Sequence, residues 1–306
     1  MPLQWINKNN DKTLDTVSSN CHMAQKLKSF NEEEEKELLN IVTTNSQMAE
    51  VLLKAFTKLE DNFPTLQLRL GWINSEGLDV EDLEVLFSKS LIIGEDKYIK
   101  GYLKVPNVKT LNISSKAKTD EKHLGYQRHF ARHSNPNSIS LGELRADKAH
   151  AETAVRSAQV IQFHIDALRS EDSQSPHSHT TGMDIYESCH LMRLAGLSKA
   201  LDLLCINTES DTISDKTAEA IALLIWYFLE GQINKEIETM KQKENDIFLV
   251  SSDLFEEPIK FVVGHKTGRW WYQHPSTKEY LPCSDKDYTA ISMGNLPDAI
   301  VSLQQH

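Results

Sequence analysis

Two side chains of metal-ligand type, His164 and Asp166, interrupt an otherwise apolar segment that begins at Val160. Side chains two positions apart point to the same face of a β-strand, so an imidazole and a carboxylate would reach one site here. Histidine combined with carboxylates can hold a zinc or iron ion with an open coordination position. The pair is therefore a candidate metal site. As an alternative, the two side chains hydrogen-bond each other or nearby backbone, because buried polar groups need partners.

Other acids and histidines could complete this site. Glu95 and Asp96 directly follow the apolar segment Leu91 to Ile93, and either could bind an ion. They could equally begin a helix, where acidic side chains suit the positive end of the helix dipole. His177 and His179 could add a ligand, although their Ser, Gln, Pro and Thr neighbours are typical of a surface loop.

Motifs of other catalytic classes are missing from the sequence. The chain contains no Gly-x-Ser-x-Gly elbow, no Gly-rich phosphate loop with lysine and no His-Glu-x-x-His. Cys189 has Glu187 and His190 nearby in sequence, but residues one or two apart face different directions on a helix. A cysteine nucleophile is therefore disfavoured.

Strand-type and helix-type segments alternate along the chain from Leu66 onward. The predicted strands are Leu66 to Leu70, Leu91 to Ile93, Val108 to Ile113, Val160 to Asp166 and Leu201 to Ile206. The predicted helices are Val80 to Ser88, Ala151 to Ser157, Met183 to Leu194 and a long apolar helix opened by Ser214 and Asp215. This alternation predicts a three-layer α/β/α fold with a mostly parallel, doubly wound sheet, whose binding crevice lies beyond the carboxyl ends of the strands.

The two ends of the chain differ from this pattern. Residues 1 to 30 are polar and predict an N-terminal extension, leaving residues 31 to 306 as a single α/β domain. Asn31 followed by Glu32 to Glu35 predicts a capped helix that ends at Pro64, with an apolar stripe that includes Leu38, Leu39, Val42, Met48 and Val51. Phe261 to Val263 and Trp270 to Tyr272 predict a closing strand pair, in which the tryptophans are core or subunit-contact residues.

Composition excludes several classes of function. The formal net charge of -11 and the pI near 5.6 disfavour binding to nucleic acid, because an acidic surface repels phosphates. The four cysteines have no Cys-x-x-Cys spacing and predict reduced thiols. The start of the chain lacks a secretory signal, and no segment is apolar over a membrane-spanning length. We therefore expect a cytoplasmic protein without a membrane partner.

Several stretches of the chain form an ordered series: Leu124-Gly125-Tyr126-Gln127 with Phe130, Leu141 to Arg145, Val160 to Arg169, Glu187-Ser188-Cys189, Arg193 to Leu197, Ile225 to Gly231, Arg269-Trp270-Trp271 and Leu281 to Tyr288. In this order they resemble the ureohydrolases (arginase, agmatinase and formimidoylglutamase), and the formimidoylglutamase-like branch in particular. The resemblance implies an arginase-like fold. In that family the strand resembling Val160 to Arg169 carries aspartates that hold two manganese ions.

The resemblance also shows where this chain departs from the family pattern. His164 stands in place of the first metal-binding aspartate, Asp166 matches the second, and Arg169 stands where many members have a further aspartate. The family's Asp-Ala-His-x-Asp signature is replaced by a stretch from Val108 to Lys116 without carboxylate or histidine. Its Gly-Gly-Asp-His element is represented only by Ile93-Gly94-Glu95-Asp96.

These departures lead to two hypotheses. In the first, the protein keeps the ureohydrolase fold without the manganese pair or any other cofactor, and acts as a non-catalytic binding, regulatory or assembly protein. In the second, manganese or another single divalent ion at His164, Asp166 and Glu95 or Asp96 supports hydrolysis of a small amidino or formimino compound. The resemblance offers Glu209, one position out of register, as a substrate-binding residue, and it makes a homo-oligomer an expectation. The loop histidines His177 and His179 are further candidates for substrate binding.

Overall fold

The computed structural model describes residues 4–5, 15–16, 37–43, 48, 51, 62, 66–72, 90–94, 110–113, 141–146, 148–174, 178, 180–208, 213–234, 245–251, 255, 257–265, 267–275 and 277–297. The strands are β1 Gln4–Trp5, β2 Asp15–Thr16, β3 Glu37–Thr43, β4 Leu66–Trp72, β5 Ser90–Gly94, β6 Thr110–Ile113, β7 Val160–His164, β8 Leu203–Asn207, β9 Asp246–Val250, β10 Ile259–Val263, β11 Trp270–Gln273 and β12 Tyr280–Cys283. The described α-helices are α1 Leu141–Ala146, α2 Lys148–Ser157, α3 Ile185–Leu197, α4 Asp215–Ile233 and α5 Asp285–Ser292, and a 3-10 turn spans Ile165–Ala167.

The larger sheet has eight strands in the order β2-β1-β4-β3-β5-β8-β7-β6. From β4 to β6 every neighbouring pair is parallel, and only β1 and β2 join antiparallel at the far edge. The chain crosses from β3 to β4 in one direction along the sheet and from β4 to β5 in the other. Strands β4 and β5 therefore lie on opposite sides of β3, the change of direction that is typical of a doubly wound sheet. The predicted mostly parallel, doubly wound α/β fold is confirmed.

The centre of this sheet is buried on both faces. Every residue of β7 and of β8 is buried, as expected for apolar strands that helices cover. Their side chains join α3 and α4 in the main core, where Phe163, Ile206, Leu224 and Phe228 are at most 2% exposed. The strands that carry the candidate site are therefore held rigidly by packing.

Helices α3 and α4 begin with the residue types that helix starts require. Asp184 accepts a hydrogen bond from the backbone N–H of Glu187, whose side chain accepts one from the N–H of Asp184, which forms a capping box. Ser214 caps α4 in the same way through the N–H of Thr217. Each predicted start lies within two residues of the observed one. None of the helices in the described ranges has the length and hydropathy needed to cross a bilayer.

A second, antiparallel sheet follows α4, with the strand order β12-β11-β10-β9. The predicted pair is confirmed as β10 and β11, since Phe261 lies opposite Tyr272 and Val263 opposite Trp270. On one face Phe261 and Tyr272 pack with Ile291 of α5 in a separate small core. Strands β9 and β12 were not predicted.

The predicted helix from Asn31 to Pro64 is wrong over residues 37 to 43, which form the parallel strand β3 between β4 and β5. Leu38, Leu39 and Val42, read as part of a helical stripe, belong to a short apolar run, and such runs suit a buried strand as well as a helix. Residues 37 to 43 form a strand because they pair with β4 on one side and β5 on the other. Met48 and Val51 are helical, as predicted. Strands β1 and β2 lie within the predicted N-terminal extension, whose boundary at residue 30 stays a prediction.

Candidate functional site

Four adjacent parallel strands, in the order β5-β8-β7-β6, carry the stretches in which site residues were predicted. Their carboxyl ends open on one edge of the sheet, where ligands bind in open α/β folds. Glu95 and Asp96 follow β5, Glu209 comes two residues after β8, and His164 ends β7. We call this row of strand ends the carboxyl edge.

His164 lies next to Asn207 at this edge, because the two are register partners in the parallel pairing of β7 with β8. Asn207 is also the register partner of Gly94, the last residue of β5. His164 is 4% exposed and Asn207 is 2% exposed. The end of β5, Asn207 and His164 thus form one continuous row across three strands.

Asp166 lies beyond the strand, in the 3-10 turn Ile165–Ala167 that follows His164. The prediction that both side chains belong to one alternating strand is therefore wrong for Asp166, since β7 ends at His164. The carboxylate nevertheless stays at the carboxyl edge and is fully buried.

The backbone at the end of the 3-10 turn is held by hydrogen bonds to Met183, just before α3. Arg169 N–H donates to Met183 O at 2.9 Å and Met183 N–H donates to Ala167 O at 2.8 Å. Gly182 allows this approach, because a Cβ atom there would come within 2.5 Å of the backbone nitrogen of Arg169. The position of Asp166 is thus set by the start of α3 as well as by β7.

Arg169 occupies a position where the resembling family often carries an aspartate, and its side chain is engaged elsewhere. Its Nε donates to Asp172 Oδ2 at 2.6 Å, and the same oxygen accepts the backbone N–H of Ile185 at 3.0 Å. Arg169 is thereby tied to the start of α3. Its side chain is 41% exposed, so the group faces solvent rather than the buried edge.

The remaining predicted residues are outside the described part of the chain. Glu95, Asp96 and Glu209 follow described strands directly or within two residues, but their own side chains are not described. His177 and His179 flank the described Ser178, which shares a 2.8 Å hydrogen bond with Ser173. The proposed contributions of these five residues to a metal or substrate site stay predictions.

At the strand ends near His164 and Asp166, the buried polar residues that sequence reasoning missed are neutral. Thr43 ends β3 and is fully buried, and Thr208 follows Asn207 and is 4% exposed. A polar pair directly after the apolar run Leu203 to Ile206 was the available signal for Asn207 and Thr208. Within the described ranges, no three His, Cys, Asp or Glu side chains lie close enough together to hold a metal ion.

Cys189 does not have the surroundings of a nucleophile. The thiol is buried on α3, and burial raises its pKa to about 11. A nucleophilic cysteine needs the thiolate, which a raised pKa disfavours at neutral pH. The sequence-based argument against this residue is therefore supported by its environment.

The stretches that resemble the ureohydrolases meet one another in the scaffold behind the site. Arg145 of α1 donates to both carboxylate oxygens of Glu187, at 2.8 and 2.9 Å, and to Gly182 O at 3.2 Å. This bidentate pair joins α1 to the first turn of α3. It is part of the packing that holds the carboxyl edge in place.

Helices α3 and α4 cross at two glycines from two other resembling stretches. A Cβ atom on Gly196 would come within 2.2 Å of Phe228 O, and one on Gly231 within 2.3 Å of Arg193 O. Arg193 Nε donates to Glu230 Oε1 at 3.0 Å beside the crossing. The two stretches therefore permit a close backbone contact that larger residues would prevent.

Helix α2 joins the two sheets through buried charge. Glu152 Oε1 accepts from Arg269 Nε at 2.8 Å and lies 3.4 Å from Arg156 Nη1. The Arg156 guanidinium is 4.6 Å from the centre of the Trp271 ring, a cation–π distance. Burial lowers the pKa of Arg156 to about 10, although the nearby Glu152 carboxylate opposes this change. Arg269 and Trp271 of the resembling stretch are thus scaffold residues.

Among the solved structures that the chain resembles, one matches at a TM-score that supports the fold. A variant of Trypanosoma cruzi formiminoglutamase with Mn²⁺ matches at a TM-score of 0.50 and 15% identity, covering 68% of this chain and 97% of that chain. The agmatine ureohydrolase of Thermoplasma volcanium matches at 0.47 and 11%, covering 67% and 93%, and the formimidoylglutamase from Bacillus subtilis at 0.46 and 15%, covering 66% and 88%. No protein-family model and no curated protein matches the chain.

Proposed function

Since the chain has the ureohydrolase fold, we propose that it is a non-catalytic protein of that fold, which does not hold a manganese pair and acts in binding, regulation or assembly. Under this proposal the chain has the fold of the ureohydrolases but does not catalyse their hydrolysis. Its support comes from the charges at the carboxyl edge and from the places where resemblance to the family is retained.

The observation that carries the proposal is the pairing of β6 with β7. The two strands are parallel neighbours, and Ile113, the last residue of β6, is the register partner of Phe163. The residues that follow β6 are Ser114, Ser115 and Lys116. By sequence, the segment that follows β6 is thus neutral and then basic, where the resembling family has a signature of acids and histidine.

The replacement removes negative charge that a two-metal site needs. Two dications close together repel each other, and several carboxylates are needed to offset their charge. The described carboxyl edge offers one carboxylate, Asp166, with the imidazole of His164 and the uncharged residues Asn207 and Thr208, and the neighbouring end of β3 adds Thr43. Even with Glu95 or Asp96 included, the donor set does not fit a bridged manganese pair.

The stretches that resemble the ureohydrolases also support a non-catalytic role, because their side chains are used in packing. Arg145 with Glu187, Gly196 with Gly231, and Arg269 with Glu152 each join two elements of the scaffold. Resemblance that survives in such contacts preserves the fold without preserving catalysis. A protein with these features can present a stable surface to a partner without turning over a substrate.

A second function is favoured by one observation, the burial of both His164 and Asp166 at the carboxyl edge. With Glu95 or Asp96 they make three ligands, enough for one divalent ion that would activate water for attack on an amidino or formimino carbon. Asn207, the register partner of His164, could then orient a substrate by hydrogen bonding.

Metal analysis and activity assays on the same preparation test the proposal. The full chain is purified without chelator, and bound manganese, zinc and iron are measured by mass spectrometry. Hydrolysis of formiminoglutamate, agmatine and arginine is then assayed with and without added Mn²⁺. We expect substoichiometric metal and no turnover. Near-stoichiometric metal with hydrolysis, both lost in Asp166→Asn and retained in the exposed control Asp246→Asn, would establish the second function instead.

A further inference from the structure

Strand β9 is an exposed edge with an apolar sequence, Asp-Ile-Phe-Leu-Val. It is the last strand of the four-stranded sheet, and among the described strands only β10 pairs with it. Ile247 is 58% exposed and Leu249 is 70% exposed. Open strand edges normally carry charges, prolines or bulges that prevent pairing with another chain. Within β9 the single charge is Asp246, at its start.

The two faces of β9 have different surroundings. Phe248 lies on the face of the small core, 5.7 Å from the Trp270 ring in a stacked arrangement and 5.5 Å from the Tyr288 ring. Ile247 and Leu249 point to the opposite face, as alternation along a strand requires. Ile247 is the register partner of Val262, which is 2% exposed. The covered part of that face thus stops at β10, and the two β9 side chains are left in solvent.

We infer that β9 pairs with β9 of a second copy of this chain, so that two four-stranded sheets join into one continuous antiparallel sheet across a two-fold axis. The inference is independent of whether the carboxyl edge binds a metal. It rests on the open edge, on the exposure of Ile247 and Leu249, and on the pattern of the strand.

The pattern suits self-pairing. In an antiparallel pair centred on Phe248, Ile247 of one copy lies opposite Leu249 of the other, and Asp246 lies opposite Val250. The single carboxylate of the strand therefore never opposes its own copy, which avoids the cost of like charges facing each other. A two-fold contact of this kind closes on itself and gives a dimer rather than a filament.

The strand is too short for a tight dimer on its own. A standard interface buries about 800 Å² on each partner, which a five-residue strand does not supply. The net charge of -11 also makes two copies repel each other. We therefore expect a weak, concentration-dependent dimer that strengthens as salt screens the repulsion.

Sedimentation velocity over a wide concentration range, at about 0.05 and 0.5 M NaCl, tests the inference on the full chain. The variants are Ile247→Lys and Leu249→Glu, with Leu223→Lys as the matched control, because Leu223 is an exposed apolar residue (41%) on α4. All sites are exposed, so the variants should keep the circular dichroism spectrum of the wild type.

We expect the wild type to dimerise and each β9 variant to weaken the dimer by about tenfold or more, while the control does not. Mixing Ile247→Lys with Leu249→Glu should restore dimers, because the new charges are opposite and face each other across the axis. A chain that stays monomeric at all concentrations would overturn the inference. So would a dimer that survives both β9 substitutions, that Leu223→Lys disrupts equally, or that the mixture fails to restore.

Discussion

Arg145 and Glu187 are 42 residues apart and form a two-pronged ion pair, with Nε–Oε1 and Nη2–Oε2 distances of 2.8 and 2.9 Å. Glu187 also accepts the backbone N–H of Asp184 at 3.1 Å within the capping box of α3. One carboxylate therefore joins α1 to α3 and satisfies the start of α3. Because the backbone just before α3 holds the turn that contains Asp166, this pair supports the candidate site from behind.

Removing the arginine should loosen this connection. We expect Arg145→Ala to lower the free energy of unfolding by about 1 kcal/mol, a modest value because the arginine side chain is 48% exposed and screened by solvent. Urea unfolding followed by circular dichroism measures the change. Lys278→Ala, which breaks an exposed pair with Glu257, is the control and should cost less. Equal losses for the two variants would show that the two-pronged geometry adds nothing.

The same pair should make stability depend on pH. Hydrogen bonding from Arg145 lowers the pKa of Glu187, and the Asp184 N–H lowers it further, whereas burial acts in the opposite direction. A carboxyl whose pKa is lower in the folded state stabilises the fold above its unfolded pKa, and this stability is lost as pH falls through the folded pKa. The difference in unfolding free energy between wild type and Glu187→Gln should thus be constant above about pH 5 and shrink below it. A difference that persists unchanged down to pH 2 to 3 would contradict the assignment.

The crossing of α3 and α4 should not tolerate a side chain. In Gly196→Ala the new Cβ would come within 2.2 Å of Phe228 O, so the helices must move apart. We expect a loss of about 2 to 4 kcal/mol, comparable to severe overpacking of a core. Gly142→Ala on the exposed surface of α1 is the matched control, and it should be neutral or slightly stabilising because glycine disfavours helix. Thermal unfolding distinguishes the two, and a mild effect at Gly196 would show that the crossing can relax.

Glu152 should matter more than an exposed glutamate, because it faces two arginines that are largely buried. Glu152→Gln leaves Arg156 and Arg269 without their shared carboxylate, and we expect a loss of about 2 to 3 kcal/mol. The control Glu230→Gln removes the partner of Arg193 alone, where both side chains are about one-third exposed, and should cost under about 1 kcal/mol. Similar losses in urea unfolding would contradict the view that α2 joins the sheets through buried charge.

Chelation should leave the fold unchanged if the protein holds no metal. A ligand that binds only the folded state raises the melting temperature, and its removal lowers it. We therefore expect the same melting temperature with EDTA, without additions and with excess Mn²⁺. A rise with Mn²⁺ that disappears in His164→Ala would instead indicate an ion at the carboxyl edge.

Much of the sheet could be predicted because its strands are short apolar runs separated by polar segments. The prediction failed at Leu38 to Val42, because a short apolar run is compatible with a helix and with a buried strand. This segment is a strand because it pairs with β4 and β5. The 3-10 turn at Asp166 could not be read either, because it depends on backbone contacts with Met183. Strand β12 was missed because its four residues include a proline and show no alternation, whereas β9 was missed although Ile247 to Val250 is an apolar run of strand length.

The site residues also divide into those that a local sequence pattern specifies and those that depend on contacts between distant parts of the chain. His164 was placed correctly in its strand and near the carboxyl end, because alternation is a local property, although the predicted strand continued to Asp166. Its neighbour Asn207 and the pairing of Arg145 with Glu187 join residues more than 40 positions apart, and no local pattern specifies them. The oligomeric state, the domain boundary at residue 30 and the cytoplasmic location stay predictions.

The position of β6 at the flank of the sheet has an evolutionary consequence. In the described part of the chain β6 contacts one neighbouring strand, whereas β7 lies between two. Under the proposed function, this edge position lets a metal site be lost from the β6 side at little cost to the fold, because an edge strand has fewer contacts to lose than a central one. Positions 114 to 116 are then where acids and histidine would first be introduced in an attempt to build a metal site into this chain.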